Sequence, residues 1–212
     1  MTATVTPIFL KNVASGQAIN AELLDAVEQQ QLIDWVMHWL PVRDKYLHAL
    51  KTAQAPAAAW PQSAHWNWVS KVVQIQGLLA HRALCVVCEN VTQGMMRIDV
   101  AGKRCRIASQ KGLDLVYVDY LEIAPWNWEG PYFDPPRYRG VGTVLLRAAI
   151  ETSLAEGFKG RIGLHSLPQS TIFYERCGLT NCGPDPASQW KLPYFEMTPE
   201  NTQAFLGKGT RQ

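Results

Sequence analysis

The fold turns on Arg137-Tyr138-Arg139-Gly140-Val141-Gly142-Thr143, which stands between an apolar, strand-like run, LDLVYVDYLEI at 113–123, and a helical pattern, GVGTVLLRAAIETSLAEG at 140–157. Two glycines and two arginines at a helix start suit a backbone that must approach an anion. Glycine removes the Cβ obstruction, helix-terminal N–H groups point outward, and the helix dipole favours negative charge. A phosphate group is the natural guest, although a tight packing turn would use the same glycines. The stretch lacks the Gly-Lys-Ser/Thr ending of a nucleoside-triphosphate loop and the third glycine of a dinucleotide fingerprint.

Working outward, residues 21–40 place Leu24, Val27, Leu32, Trp35, Val36 and Trp39 at amphipathic helical spacing, with Asn20 as cap and Pro41 as the end. A shorter helical pattern runs through Tyr46, Leu47 and Leu50, and an Ala/Pro connector follows at 53–64. Residues 1–65 are therefore expected to be an N-terminal helical extension, a helical hairpin. The spacing predicts a further helix from Trp66 to Leu79, then a strand hairpin over 82–100 turning at ENVTQG, and a short strand at KRCRI. After the helix closed by Gly157 come a strand at RIGLHS, a short helix with Pro168 in its first turn and Gly178 past its end, and a last strand at KLPYFEMT. Strands first paired, then alternating with helices, predict an α/β (α+β layered) domain over 66–199, with 200–212 as a C-terminal tail.

Composition narrows the function classes. The chain has 212 residues, 47% hydrophobic, with a net charge of +2, which is too near neutral for a strongly basic nucleic-acid binder. No apolar run reaches membrane-spanning length, and MTATVTPIFLKN lacks the basic and apolar regions of a signal peptide, so a cytoplasmic protein without membrane contact is expected. Cys85 and Cys88 lie in a strand-like run, where residues three apart point to opposite faces, and no second pair stands at zinc spacing. No metal is expected. His38 and His48 have no acidic partner at a fixed offset and read as helix-surface or packing histidines.

Three elements in order resemble the GNAT superfamily of acyl-CoA-dependent N-acyltransferases. Arg137, Gly140 and Gly142 match its Arg/Gln-x-x-Gly-x-Gly/Ala loop. Leu121-Glu122-Ile123-Ala124-Pro125 is similar to its Leu-x-Val-x-Pro strand end, and Phe173-Tyr174-Glu175-Arg176-Cys177-Gly178-Leu179 to its Leu/Phe-Tyr-Glu-x-x-Gly-Phe. The resemblance covers roughly residues 66–199. It implies a mixed, largely antiparallel sheet with splayed central strands and flanking helices. It also implies acetyl-CoA or a close acyl-CoA as cosubstrate, the pyrophosphate on the amides of Tyr138, Arg139, Gly140, Val141, Gly142 and Thr143, and the thioester beside Ile123. Tyr174 stands where the family's general acid stands, and a phenol can protonate a leaving thiolate because their pKa values are close. Leu167 departs from the asparagine that members often carry seven residues before that tyrosine.

The base is open between three residues. Glu122 is the first choice, being nearest the splayed strand end, where burial without a cation would raise its pKa. Asp119 and His165 are the others. The insert from Trp126 to Pro136 is a second departure from the family. It reads either as an acceptor pocket, with Trp126, Trp128 and Glu129 selecting a cationic amine, or as a proline-stiffened wrap on the helical hairpin. The sequence thus points to an N-acetyltransferase acting on a small-molecule or peptide amine, as a monomer or homodimer. The rival is an acyl-CoA-binding sensor or partner-binding module on the same fold.

Overall fold

A computed structural model describes residues 3–188 and 190–208. Residues 209–212, the end of the expected tail, lie outside the described residues. Among the described residues, nine strands form a largely antiparallel sheet flanked by helices: β1 Val5–Asn12, β2 Ala18–Leu24, β3 His81–Cys88, β4 Val91–Asp99, β5 Val116–Ile123, β6 Tyr138–Arg139, β7 Ile162–His165, β8 Thr180–Pro184 and β9 Pro193–Met197. Their order is β6-β1-β2-β3-β4-β5-β7-β9-β8. β5 and β7 run parallel, with registered pairs only from Val116↔Ile162 to Val118↔Leu164, and β5 continues on to Ile123. The α-helices are α1 Gln29–Asp34, α2 Leu40–Thr52, α3 Trp68–Val73, α4 Val141–Ala155, α5 Thr171–Arg176 and α6 Pro199–Lys208. Among the described residues no helix is long and apolar enough to cross a membrane.

The chain divides into two compact units. One comprises Met1–Leu78, Arg82–Arg97 and Tyr120–Leu145, the other Leu79–His81, Ile98–Asp119 and Leu146–Gln212. The break expected between residues 65 and 66 does not coincide with a boundary of either unit.

The first unit corrects the expectation of a wholly helical N-terminal extension. Residues 5–24 are a β-hairpin, in register from Val5↔Leu24 to Lys11↔Ala18, and β2 pairs on its other edge with β3. AELL at 21–24 consists of good helix formers, but pairing on both sides and burial of Ala21 and Leu24 override that local preference. Helix starts only at Gln29. Pro41 does not end it: Trp35–Trp39 form a π-helical turn, with the Leu40 N–H reaching back to the Trp35 carbonyl, and α2 continues. The widened turn accommodates a proline that supplies no N–H and would crowd a regular α-helical turn. The expected helix over 66–79 is only α3, capped by Asn67, whose side chain accepts from Ser70 N–H at 2.9 Å. The β3–β4 turn is confined to Glu89 and Asn90, both at positive φ, so Val91–Gly94 belong to the strand. Leu24, Trp35, Trp39, Trp68, Met95 and Trp126 form this unit's core.

In the second unit the caps fall where the glycines predict. Gly157 closes α4 with a paired bond pattern, Phe158 N–H to Ser153 O at 2.7 Å and Gly157 N–H to Leu154 O at 3.0 Å, at a φ of 79°. KRCRI is not a strand; it contributes one isolated bridge, Arg104↔Asp114. β8 and α6 have no counterpart in the sequence reading. Cys105, Leu115, Tyr117 and Tyr194 cluster as one buried group.

Candidate active site

In the first unit the end of β5 carries Glu122, 7% exposed, with Oε2 accepting the Trp68 indole N–H at 2.6 Å. Burial is the main cause that raises its pKa to about 7, and the hydrogen bonds from Ser63 and Trp68, with the charges of Arg43 and Lys71, work against the rise. Such a group is divided between base and acid at neutral pH. The next residue, Ile123, has its carbonyl engaged by the Trp128 indole N–H at 3.2 Å, and Ala124 N–H pairs with Gln93 O at 2.8 Å.

The loop to α4 is fixed from both sides. Val13 N–H donates to Arg137 O at 2.9 Å, Arg137 N–H to Trp126 O at 3.1 Å, and Tyr138 N–H to Asn127 Oδ1 at 3.0 Å. The Tyr138 amide is therefore occupied, which narrows the expected phosphate-binding set. Tyr138 itself is buried, its hydroxyl donating to Glu89 Oε2 at 2.5 Å. Gly140 adopts a φ of 96°, open to glycine at no steric cost, and the first intrahelical bond is Val144 N–H to Gly140 O at 2.9 Å. The amides of Val141, Gly142 and Thr143 precede that bond and lack an intrahelical acceptor. With exposed Arg139 beside them, 3.6 Å from Glu129, they suit a phosphate.

The insert packs for much of its length. Phe133 lies 5.1 Å and Trp128 6.3 Å from the Tyr46 ring of α2, and Asp134 Oδ2 accepts from Tyr46 at 3.1 Å and from Lys45 at 3.5 Å. These are the contacts of a wrap. Trp126 differs: its indole N–H donates to Gln93 Oε1 at 2.8 Å, its edge meets Trp39 at 6.5 Å, and the Arg137 guanidinium lies 5.2 Å from its ring centroid.

The second unit holds the remaining candidates. Tyr174 is 7% exposed on α5, and burial pushes its phenol well above the ordinary range, so it carries its proton at neutral pH. His165, at the end of β7, sits in a chain of hydrogen bonds: Tyr117 Oη meets its Nδ1, its Nε2 meets Asp185 Oδ2 at 2.8 Å, and Arg106 reaches the same oxygen at 2.6 Å. Burial also raises the Tyr117 phenol, whereas Arg106 holds the Asp185 carboxyl well below the carboxylate range. A protonated Tyr117 donates to Nδ1, which leaves Nε2–H to donate to Asp185. Asp119 stands 3.8 Å from His81, whose Nδ1 has no hydrogen-bond partner among the described residues.

Trp68, Gln93, Asn127, Arg106 and Asp185 were not anticipated. Trp68 lies 54 residues from Glu122 and Arg106 lies 79 from Asp185, and no local pattern announces pairs so distant.

No protein-family model matches the chain, and no curated protein matches it by sequence. Solved structures do. The GNAT domain of S. lividans PAT superposes with a TM-score of 0.53 at 13% identity, covering 91% of this chain and 96% of that one. The fold is that of the GNAT acetyltransferases. An assigned arylalkylamine N-acetyltransferase 7 of the yellow fever mosquito Aedes aegypti matches at a TM-score of 0.52 and 17% identity, covering 92% of this chain and 94% of that one. An assigned GNAT-family acetyltransferase from Desulfovibrio desulfuricans matches at 0.50 and 12%, covering 84% and 99%. At these identities the likeness is one of fold, and the GNAT scaffold leaves acceptor and mechanism open.

Proposed function

We propose that the protein transfers an acetyl group from acetyl-CoA to a primary amine by direct attack. The observation that carries this reading is Glu122, buried beside Trp68 at the end of β5 with a pKa of about 7, just ahead of the loop that opens α4. The Val141, Gly142 and Thr143 amides, with Arg139, would hold the pyrophosphate, and Ile123 would lie beside the thioester. Acetyl-CoA supplies the activated acyl group. Glu122, directly or through water, takes a proton from the acceptor ammonium, and the freed amine forms the amide bond to the acyl carbon as the carbon–sulfur bond breaks. Tyr174 gives its proton to the departing sulfur, and the second proton that the nitrogen sheds on becoming an amide restores the phenol. His165, the histidine candidate for the base, has both ring nitrogens engaged, by Tyr117 and Asp185, and the role is given to Glu122. On the sequence reading this activity is placed in the cytoplasm.

The test is to follow free thiol from acetyl-CoA against a panel of amines, alongside thermal stabilisation by acetyl-CoA. Thiol release above hydrolysis supports the transferase. Stabilisation without release assigns an acyl-CoA sensor, and the absence of both overturns either reading.

A further inference from the structure

A recess of 280 Å³ opens in the first unit between the π-helical turn and the β3–β4 turn, bordered by Met37, Val42, Glu89, Gln93, Trp126 and Arg137. Its floor is rigid. Gln93 is saturated: Oε1 accepts from the Trp126 indole at 2.8 Å and from Asn127 at 3.2 Å, and Nε2 donates to the Val91 and Cys88 carbonyls at 3.0 and 3.3 Å. The Trp126 indole, which lines the recess, is thereby held through its N–H.

Opposite charges stand on the walls. Arg137 is exposed, with its guanidinium 5.2 Å from the Trp126 ring centroid, and among the described residues that guanidinium makes no hydrogen bond or ion pair. A guanidinium without a protein partner keeps its forked donors available for a carboxylate. Glu89 is held at positive φ in a two-residue turn, with Oε2 receiving the Tyr138 hydroxyl. Its other oxygen keeps acceptor capacity for an ammonium. Met37 and Val42 add an apolar side, and Met37 is 63% exposed where the π turn bulges outward. The π turn, frequent at functional sites, is what places Met37 there.

We infer that this recess binds a small zwitterion of the α-amino-acid type, with its carboxylate on Arg137, its ammonium on Glu89 and an apolar side chain against Met37 and Val42. The volume lies near the lower end of small-molecule sites, which suits a single amino acid better than a peptide or nucleotide. The inference does not rest on acetyl transfer.

Calorimetric titration without acetyl-CoA tests it, using the twenty amino acids, with leucinamide and 4-methylpentanoate as probes lacking one charge. An amino acid with an apolar side chain is expected to bind with a Kd of about 1 mM or tighter, and each single-charge probe about tenfold or more weaker. Arg137→Gln and Glu89→Gln, both exposed, should each lose about tenfold while unfolding as wild type does. Binding that is absent throughout, equal for leucine and leucinamide, or unchanged in Arg137→Gln overturns the inference. Because no acyl donor is present, these outcomes are independent of the thiol-release assay.

Discussion

The indole of Trp68 donates to Glu122 Oε2 over 2.6 Å, and both residues are buried, at 0% and 7% exposure. Neutral donors, Trp68 and Ser63, do not replace all the water that a carboxylate loses, so the pKa stays up, at about 7. If Glu122 is the base, kcat/KM with a good amine acceptor rises through a limb near pH 7 as the carboxylate forms. Glu122→Gln should abolish that limb and lower the rate by about 10²- to 10⁴-fold. An unchanged limb and rate in the variant removes Glu122 from the mechanism.

The same group makes a stability prediction that needs no substrate. Its folded pKa lies above the unfolded value, so folding favours the protonated form. That contribution is complete below the ordinary glutamate range and is lost as pH rises through about 7. Glu122→Gln, which keeps an acceptor for Trp68, should therefore gain on wild type between acidic and mildly alkaline pH, by an amount on the order of 3 kcal/mol. Urea midpoints across that range read the effect, and a pH-independent difference counts against it.

Asp185 runs the other way. Arg106 first, then the Ala187 N–H and His165, hold its carboxyl below the usual range. Its contribution is present above the ordinary carboxylate range and lost as pH falls toward the depressed value. Asp185→Asn should be destabilised at neutral pH, with the gap to wild type closing between about pH 5 and pH 2. In ¹⁵N spectra of the imidazoles, wild-type His165 should appear as the Nε2–H tautomer, and the variant should shift that population. A constant gap and an unchanged His165 signal would show that the chain of bonds does not bias the ring.

How much of this was legible follows the range of the interactions. Glycines at 157 and 178 announced helix ends because a C-cap is a local event. The Arg137–Thr143 loop and the burial of Glu122 were legible for the same reason, from glycine spacing and an apolar run. The β1–β2 hairpin was not: AELL reads as helix until β3 pairs with it, and β3 begins at His81. Pro41 was read as a stop because nothing local signals the π turn that accommodates it. In the site, Tyr138 was taken as a free amide because Asn127, eleven residues earlier, folds back to occupy it.

Glu196 on β9 is 0% exposed and receives four donors: the Arg106 N–H at 2.6 Å and the Tyr194 hydroxyl at 2.8 Å on Oε2, the Ile107 N–H at 3.2 Å and Gln110 Nε2 at 2.6 Å on Oε1. A glutamine there must turn an amide NH₂ toward one of these pairs. The hydroxyl can rotate and the Gln110 amide can flip, but a backbone N–H can do neither. Glu196→Gln should therefore cost about 1–3 kcal/mol, the penalty of one buried unsatisfied donor. Unfolding free energies at neutral pH measure it, and a loss within error would show that the 103–111 segment moves to compensate.

Gly94 on β4 packs against the start of α4. A Cβ built there would lie 2.6 Å from Val141 Cγ1, 3.0 Å from Leu145 Cδ1 and 3.4 Å from the Glu122 carbonyl oxygen. Val141 and Leu145 are buried, at 2% and 0% exposure, and the β-branched Val141 has few rotamers to escape into, so Gly94→Ala must displace the first turn of α4. The strain should cost about 1–3 kcal/mol, which for a chain of this size lowers Tm by roughly 2–12 °C. If the Val141, Gly142 and Thr143 amides hold a phosphate, the displaced turn should also shrink the stabilisation that acetyl-CoA gives. Val141→Ala removes the methyl that the new Cβ would strike. In the Gly94→Ala background it should restore Tm, although alone it opens a small cavity. A double variant no more stable than Gly94→Ala would place the strain elsewhere than at Val141.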